Sequence, residues 1–560
     1  MKRFSSIDFL RGLAMLMMIV LHTISDILDL DALLADMANL TLLELILLFV
    51  LPFLGGLAGF FLMISATGNM ISMQKQLKRG RSAKDIGKRQ VMGGFLLLIF
   101  AMLCEGLLGY HGYIGELFKN LDNITATDPA ILTYGAYHFE TIHAIAWCVI
   151  INGIIHAILT KDGKWKNTTK LIKQYAIIAI VILILTPLMW ALADLIVPGY
   201  PYATDPVTGR EIQYAVLGKS SIWDFVIRFF LAPLAAKWEP IFPYLAVSCI
   251  GSIIGIYLSQ ERKKIDLTFW KKLLKVGLIM FMIGAAGFIA NLVIVVMEEG
   301  IDPALALYMN ISEHRYWTVE NGAPFLGWLF QFLLLNGFSL CAIIMIIRLV
   351  EFRGKGKMFA EKTVFIRRLG FIAFTIYTIQ YLYNLIHFIV SSILGDPYVR
   401  QDWGPTLIIL TLTLVAYYLI TWAWEKIGYI GSMEWMMGTI AAYLIPGKKV
   451  TMVLKWWEKG KLDVEGAFYN AEWLNIIEKD EVNHKGLAES RLSYKLSRLG
   501  FIFFPFSFVS YIAAKKAAKN EKENEYQKKG RILGLSGIIL FFVLLIVCIS
   551  LKLSTLGISF

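Results

Sequence analysis

Charge is scarce in this sequence: of 560 residues only 17% are Asp, Glu, Lys or Arg, whereas 57% are hydrophobic. Histidine is rarer still, with eight copies, and cysteine rarest, with five. So little charge excludes a soluble enzyme with a single anchor and leaves a polytopic membrane protein. The five cysteines (Cys104, Cys148, Cys249, Cys341, Cys548) lie inside apolar runs at no metal-like spacing, so neither disulfides nor zinc are expected. The N-terminal apolar run is interrupted by Asp8 and Arg11 and precedes no small-residue cleavage site, and so reads as a retained helix.

Apolar stretches of spanning length fall at 7–28, 41–68, 91–109, 141–160, 171–197, 240–259, 276–297, 325–347, 369–394 and 405–424. The expected fold is therefore all-α, with about ten transmembrane helices. Basic residues alternate between the connections. Segments 74–90, 161–173, 260–275 and 348–368 hold 25 Lys and Arg, against 5 in 110–140, 198–224, 298–324 and 395–404. Positive connections stay inside, which puts the N-terminus in the cytoplasm. The net charge of +12 then belongs to membrane-facing loops and calls for no nucleic acid.

Past Trp424 the pattern changes. The expected division is a membrane core over 1–446, a cytoplasmic linker over 447–498 and a C-terminal membrane hairpin of one or two helices over 499–560. Residues 427–446 read as an amphipathic or re-entrant element. The connector 515–531 carries seven basic residues against three acidic, which breaks the charge rule if both flanking runs span.

The first helix carries the most informative polar residues. At about 100° per residue, Asp8, Arg11, His22 and Asp26 share a stripe roughly 60° wide. Ionisable groups in a bilayer persist where they face a polar interior, each other or a ligand. The plainer reading is an Asp8–Arg11 ion pair and a His22 bonded to a neighbouring helix. The threading places His22, Asp26, Glu105, His111, His138, Glu140, His143, His314 and His387 toward the outer side, and only His156 and His484 toward the inner. Tyr377, Gln380, Asn384 and His387 fall at i, i+3, i+7 and i+10, a polar face that also suits interhelical hydrogen bonding. His138, Glu140 and His143 lack the i,i+4 histidine pair of a helical metal site, so no metal is expected.

A histidine with a carboxylate one turn away is a minimal general base, Asp26 orienting His22; the imidazole could alternatively carry an acyl group itself. Arg11, beside Asp8 near the inner face, suits a phosphate-bearing donor. Gly55 and Gly56 in LPFLGGLAGFF permit close approach of a donor or, more simply, of another helix.

Four stretches resemble a known group. IDFLRGLAMLMMIVLH, WEPIFPYLAVSCIGSIIGIYLS (238–259), RRLGFIAFTIYTIQYL (367–382) and IGSMEWMMG (430–438) are similar, in order, to motifs of the transmembrane acyltransferase superfamily. That group includes the heparan-α-glucosaminide N-acetyltransferase-like and DUF418/YeiB-like membrane proteins. The resemblance implies transfer of an acyl group, acetyl foremost, from cytosolic acyl-CoA to an extracytoplasmic sugar or other amine or hydroxyl acceptor. It implies acyl-CoA as co-substrate. Set beside the polar stripe and the one-sided histidines, it gives the expected site: donor binding by Arg11, Asp8, Gly55 and Gly56, catalysis by His22 and Asp26, and acceptor contacts from His138, Glu140, His143, Gln380, Asn384 and His387. The expected partners are the bilayer of the cell membrane, the donor and the acceptor, with a homodimer left open. Departures are present. The outer loop 25–41 contains no histidine, where heparan-type enzymes carry theirs, and Ser432 and Gly438 replace the Pro and Arg of the closing motif. A transporter or flippase of a small polar or lipid-linked solute is the rival reading, since it too would be lined by intramembrane polar groups.

Overall fold

The computed structural model describes residues 4–29, 42–261, 264–313, 326–352, 356–395, 398, 400–444, 462, 464, 468, 488–500, 505–521 and 524–555. His314, His484 and residues 30–41 lie outside these. Among the described residues the architecture is all-α, and nine helices are long and apolar enough to cross a membrane. The chain divides into two compact units, one built from the described residues 4–351 and 356–468, the other from Phe352 and 488–555.

The first unit opens with α1 (Ser5–Ile27), rich in Leu, Met and Ala, which keep side-chain freedom in a helix. It ends where Leu28 turns extended and pairs with the backbone of Gln401, which accepts from Asp29 N–H and donates to Ile27 C=O. Next come α2 (Leu42–Gly55) and α3 (Ala58–Lys78), divided at Gly56–Leu57, then α4 (Ala83–Leu103), α5 (Thr141–Thr160), α6 (Thr168–Ile196) and α7 (Ile222–Ala235). Helix α8 (Ile241–Leu258) is the most enclosed of the spans and packs on α3 and α6. Its Gly251 and Gly255 sit on α3: a methyl at Gly255 would lie 2.7 Å from Thr67 O, and the Thr67 hydroxyl donates to Gly251 O at 3.0 Å. Small residues four apart let two backbones approach in a medium where apolar side chains gain nothing by leaving lipid. Helices α9 (Leu267–Glu298) and α10 (Gly327–Ile347) form a long antiparallel pair, joined by the Trp270 indole N–H donating to Ile344 O at 3.0 Å.

The stretch expected to span at 369–394 is instead three short helices, α11 (Val364–Phe371), α12 (Ala373–Thr378) and α13 (Leu382–Leu394). The breaks fall at Ile372 and Ile379 in a segment dominated by β-branched and aromatic residues, which are poor helix formers. The backbone freed by the first break has other partners. Glu434, at the start of α15 (Met433–Leu444), accepts from Phe374 N–H at 2.8 Å and from the Thr375 hydroxyl at 2.5 Å. That hydroxyl in turn accepts from Met433 N–H at 2.9 Å. At the second break the Tyr417 hydroxyl, on α14 (Trp403–Lys426), donates to Ile379 O at 2.9 Å. Irregular backbone at membrane depth persists where neighbours replace the lost bonds in this way.

Helix α11 lies against α1 glycine to glycine. A methyl on Gly12 would land on the Ile366 carbonyl, and one on Gly370 on the Asp8 carbonyl. Gly370→Ala is accordingly expected to cost about 3 kcal/mol, the upper end of ordinary overpacking, and to lower the thermal midpoint in detergent. An unchanged midpoint would show that the two helices separate freely.

In the second unit α16 (Ala488–Leu499), α17 (Pro505–Asn520) and α18 (Glu525–Thr555) all pack on one another. Ser493 and Ser510 exchange hydroxyl-to-carbonyl bonds of 2.9 and 2.8 Å, and Glu521 accepts from the Glu489 and Ser490 N–H groups that open α16. The polar sequence before 499 thus contributes a helix to what was expected to be a hairpin.

Candidate functional site

The first unit encloses a chamber of about 540 Å³ between α1, α2, α3 and α10. On α1 its lining runs from Leu13 to His22, about 13 Å of helix. The walls are aliphatic, thioether and aromatic, with Met15, Met18, Leu57 and Phe61 among them. Polar groups gather at one end: His22, His111, Glu140, Thr141, Glu239 and Tyr377. This is the far end of the bundle from Arg11 and Asp8, which lie beyond the lining. Asp8 is buried, and a methyl on Gly68 of α3 would lie 2.5 Å from the Arg11 guanidinium. Gly68, not Gly55 or Gly56, is therefore the glycine that meets Arg11. Gly55 faces Leu21 and joins the chamber wall beside His22, while Gly56 packs on Leu335.

Asp26 does not hold His22 directly. Among the described residues no hydrogen bond joins them; the Asp26 carboxylate accepts from the Tyr110 hydroxyl at 2.5 Å and from the Tyr383 hydroxyl. The Tyr110 ring lies 5.0 Å from that of His22, so a tyrosine stands between the two expected partners.

The polar end is assembled from separate parts of the chain. After α4 the helix widens into a π turn, Cys104–Leu108, which carries Glu105 inward; such turns recur at functional sites. Gly109 and Gly112 then fold the chain back on Cys104, where a side chain on Gly109 would meet the Cys104 carbonyl at 2.8 Å, and His111 sits on that fold. Residues 138–140 are extended, and Glu140 occupies the N-cap of α5 without bonding that helix's N–H groups. Its carboxylate turns aside: Glu140 Oε1 lies 2.8 Å from His138 Nε2 and 3.1 Å from His111 Nε2, and Oε2 accepts from Tyr377 at 3.0 Å. Tyr377 also reaches Glu105 Oε1 at 2.8 Å, and with one proton it donates to one carboxylate at a time. His138 Nδ1 is 2.8 Å from the Tyr214 hydroxyl. Burial alone would raise the Glu140 pKa, but the two imidazoles hold it well below the usual carboxylate range. Burial, reinforced by the Glu140 charge, pushes the Glu239 carboxyl up to about 8.

Of the residues marked in the sequence, His22 and Glu140 line the chamber, and His138 joins them through Glu140. His143 points elsewhere, its ring tilted against that of Phe139 at 5.5 Å in a small pocket with Trp147 and Phe229. Gln380, Asn384 and His387 are buried but outside the chamber's lining, with the His387 ring 5.5 Å from that of Tyr398. The break at Ile379 separates them from Tyr377, so the continuous polar face expected over 377–387 is not formed. Glu239 was missed. Its signal was a carboxylate directly before the apolar stretch 240–259, at the end where the histidines gather; the Thr141 hydroxyl donates to it at 2.8 Å.

A bundle of apolar helices around a chamber that is apolar along its length, with imidazoles and carboxyl groups at one end, is that of a multi-pass membrane protein. Residues 3–293 match the family described as heparan-alpha-glucosaminide N-acetyltransferase, catalytic, and the chain belongs to that family. Membership implies, in general terms, a membrane N-acetyltransferase with an acetyl-CoA-type donor. The matched region includes α1 and α8 and ends within α9, before Tyr377 and Glu434. No curated protein and no solved structure matches this chain.

Proposed function

We propose that this protein is a transmembrane acyltransferase that moves an acyl group, acetyl foremost, from acyl-CoA to an amine or hydroxyl acceptor, an amino sugar being the first candidate. The observation that carries this is the chamber's polarity: a largely apolar wall that suits an acyl-pantetheine arm, with His22 at its polar end. Donor phosphates dock at the Arg11 end, where the basic connections place the cytoplasm, and the acceptor enters from outside the cell membrane at the end holding Glu140 and Glu239. The acceptor nitrogen or oxygen attacks the thioester carbonyl, the C–S bond breaks as the new bond to carbon forms, and His22 takes the acceptor proton and returns it to the CoA sulfur. Asp26 acts through Tyr110, holding the ring against which His22 lies.

The test offers purified protein labelled acetyl-CoA with and without glucosamine-type acceptors and follows CoA thiol release. Acceptor-dependent release is expected. Arg11→Ala is expected to raise the donor KM about 10- to 100-fold with little change in kcat, the loss of one charged hydrogen bond used for binding. Uptake of the sugar into proteoliposomes without any CoA would favour transport instead.

A further inference from the structure

Four side chains at the chamber's polar end converge more tightly than an acid–base relay requires. His111 Nε2 and His138 Nε2 approach the same oxygen, Glu140 Oε1, at 3.1 and 2.8 Å. Two ring nitrogens on one carboxylate oxygen use both Nε2 atoms at a single point, and their rings lie only 4.4 Å apart. The edge of a tetrahedron around zinc with nitrogen and oxygen ligands is about 3.3 Å, close to these separations. Glu105 joins them: ligand atoms of Glu105, His111 and His138 all lie within 4.8 Å of one another. Its second oxygen, Oε2, is buried without a hydrogen-bond partner, although a buried carboxylate oxygen is costly to leave unsatisfied. Among the described residues no Lys or Arg forms an ion pair with Glu105 or Glu140, so a buried and a half-buried carboxyl group face two imidazoles. Beyond the cluster, groups are placed as outer-shell partners are: Tyr214 on His138 Nδ1 and Tyr377 on the carboxylates.

We infer that Glu105, His111, His138 and Glu140 form a binding site for a divalent transition-metal ion of the zinc class. Two imidazoles and two carboxylates are ligands of that borderline class, rather than of calcium or magnesium. Because His111 and Glu140 also line the chamber, the ion faces the space where an acceptor's polar head would sit. The expectation of no metal rested on helical spacing. These ligands come instead from a π turn, a folded-back loop, an extended strap and an N-cap, and no short motif joins them. The inference does not depend on acyl transfer and is read without it.

The experiment measures Zn²⁺ bound to the purified full chain after zinc loading and removal of free ion, by elemental analysis, and Co²⁺ bound in its place by visible absorption. About one zinc per chain is expected in the wild type, with cobalt bands of a low-coordinate nitrogen–oxygen site. In the His111→Ala/His138→Ala variant the zinc is expected to be lost, while His143→Ala keeps it. Tyr214→Phe, which removes an orienting contact and no ligand, is expected to weaken zinc binding about 10- to 100-fold. A wild type that binds no zinc and shows no cobalt bands overturns the inference, as does equal zinc in the wild type and a folded double variant. Should the double variant fail to fold, the cobalt spectrum of the wild type and the Tyr214→Phe shift decide.

Discussion

His22→Gln is expected to lower kcat about 10²- to 10⁴-fold while the donor KM stays within a few-fold, the signature of a lost proton-transfer group. His22 lines the chamber, and its nearest aromatic neighbour is Tyr110, whose hydroxyl is bonded to Asp26. A glutamine of similar length fills the space but cannot take a proton at neutral pH. Asp26→Asn should fall between wild type and His22→Gln, because Asp26 touches two tyrosine hydroxyls rather than the imidazole. Steady-state kinetics on both variants separate the two roles. A His22→Gln protein with undiminished kcat would remove His22 from the chemistry.

Glu434→Ala is expected to destabilise the fold by about 2–4 kcal/mol, because it leaves the Phe374 N–H and the Thr375 hydroxyl without an acceptor in a buried break. Both groups are bound to its carboxylate, and Thr375 relays the bond to the first turn of α15. Glu434→Gln should recover part of the loss, since an amide oxygen still accepts one bond. Thermal unfolding in detergent measures both. The same variants report on function, because the break positions Tyr377, which bridges Glu105 and Glu140. If Glu434→Ala unfolds like the wild type, the broken helix has another support.

The polytopic fold was legible because hydrophobic length and the alternation of basic connections are properties of composition, and each expected span is a helix or the main part of one except 41–68, which divides at Gly56–Leu57, and 369–394. The break in that stretch was not legible, since Ile372 and Ile379 look as apolar as their neighbours and the partner that permits the first break, Glu434, is some sixty residues away. The stripe on α1 correctly set His22 on an inward face, but helical spacing could not show that Tyr110 and Tyr383 would take the Asp26 carboxylate. Gly55 was expected to join Arg11 in donor binding. The antiparallel run of α2 and α3 against α1 instead sets Gly55 at Leu21 and brings Gly68 to Arg11. Most of the polar cluster was visible only as an excess of histidine on one side of the threading. Its geometry depends on a π turn and two close glycine folds, which carry no periodicity to read.

The acyl transfer proposed for this protein requires the donor's acyl end to lie in the chamber beside His22. A density map of the protein with a non-hydrolysable acetyl-CoA analogue shows where it lies. Phosphate density is expected near Arg11 and the acyl group beside the His22 imidazole, with the pantetheine arm against Met15 and Met18. Donor density outside the chamber, with His22 touching none of it, would refute acyl transfer at His22.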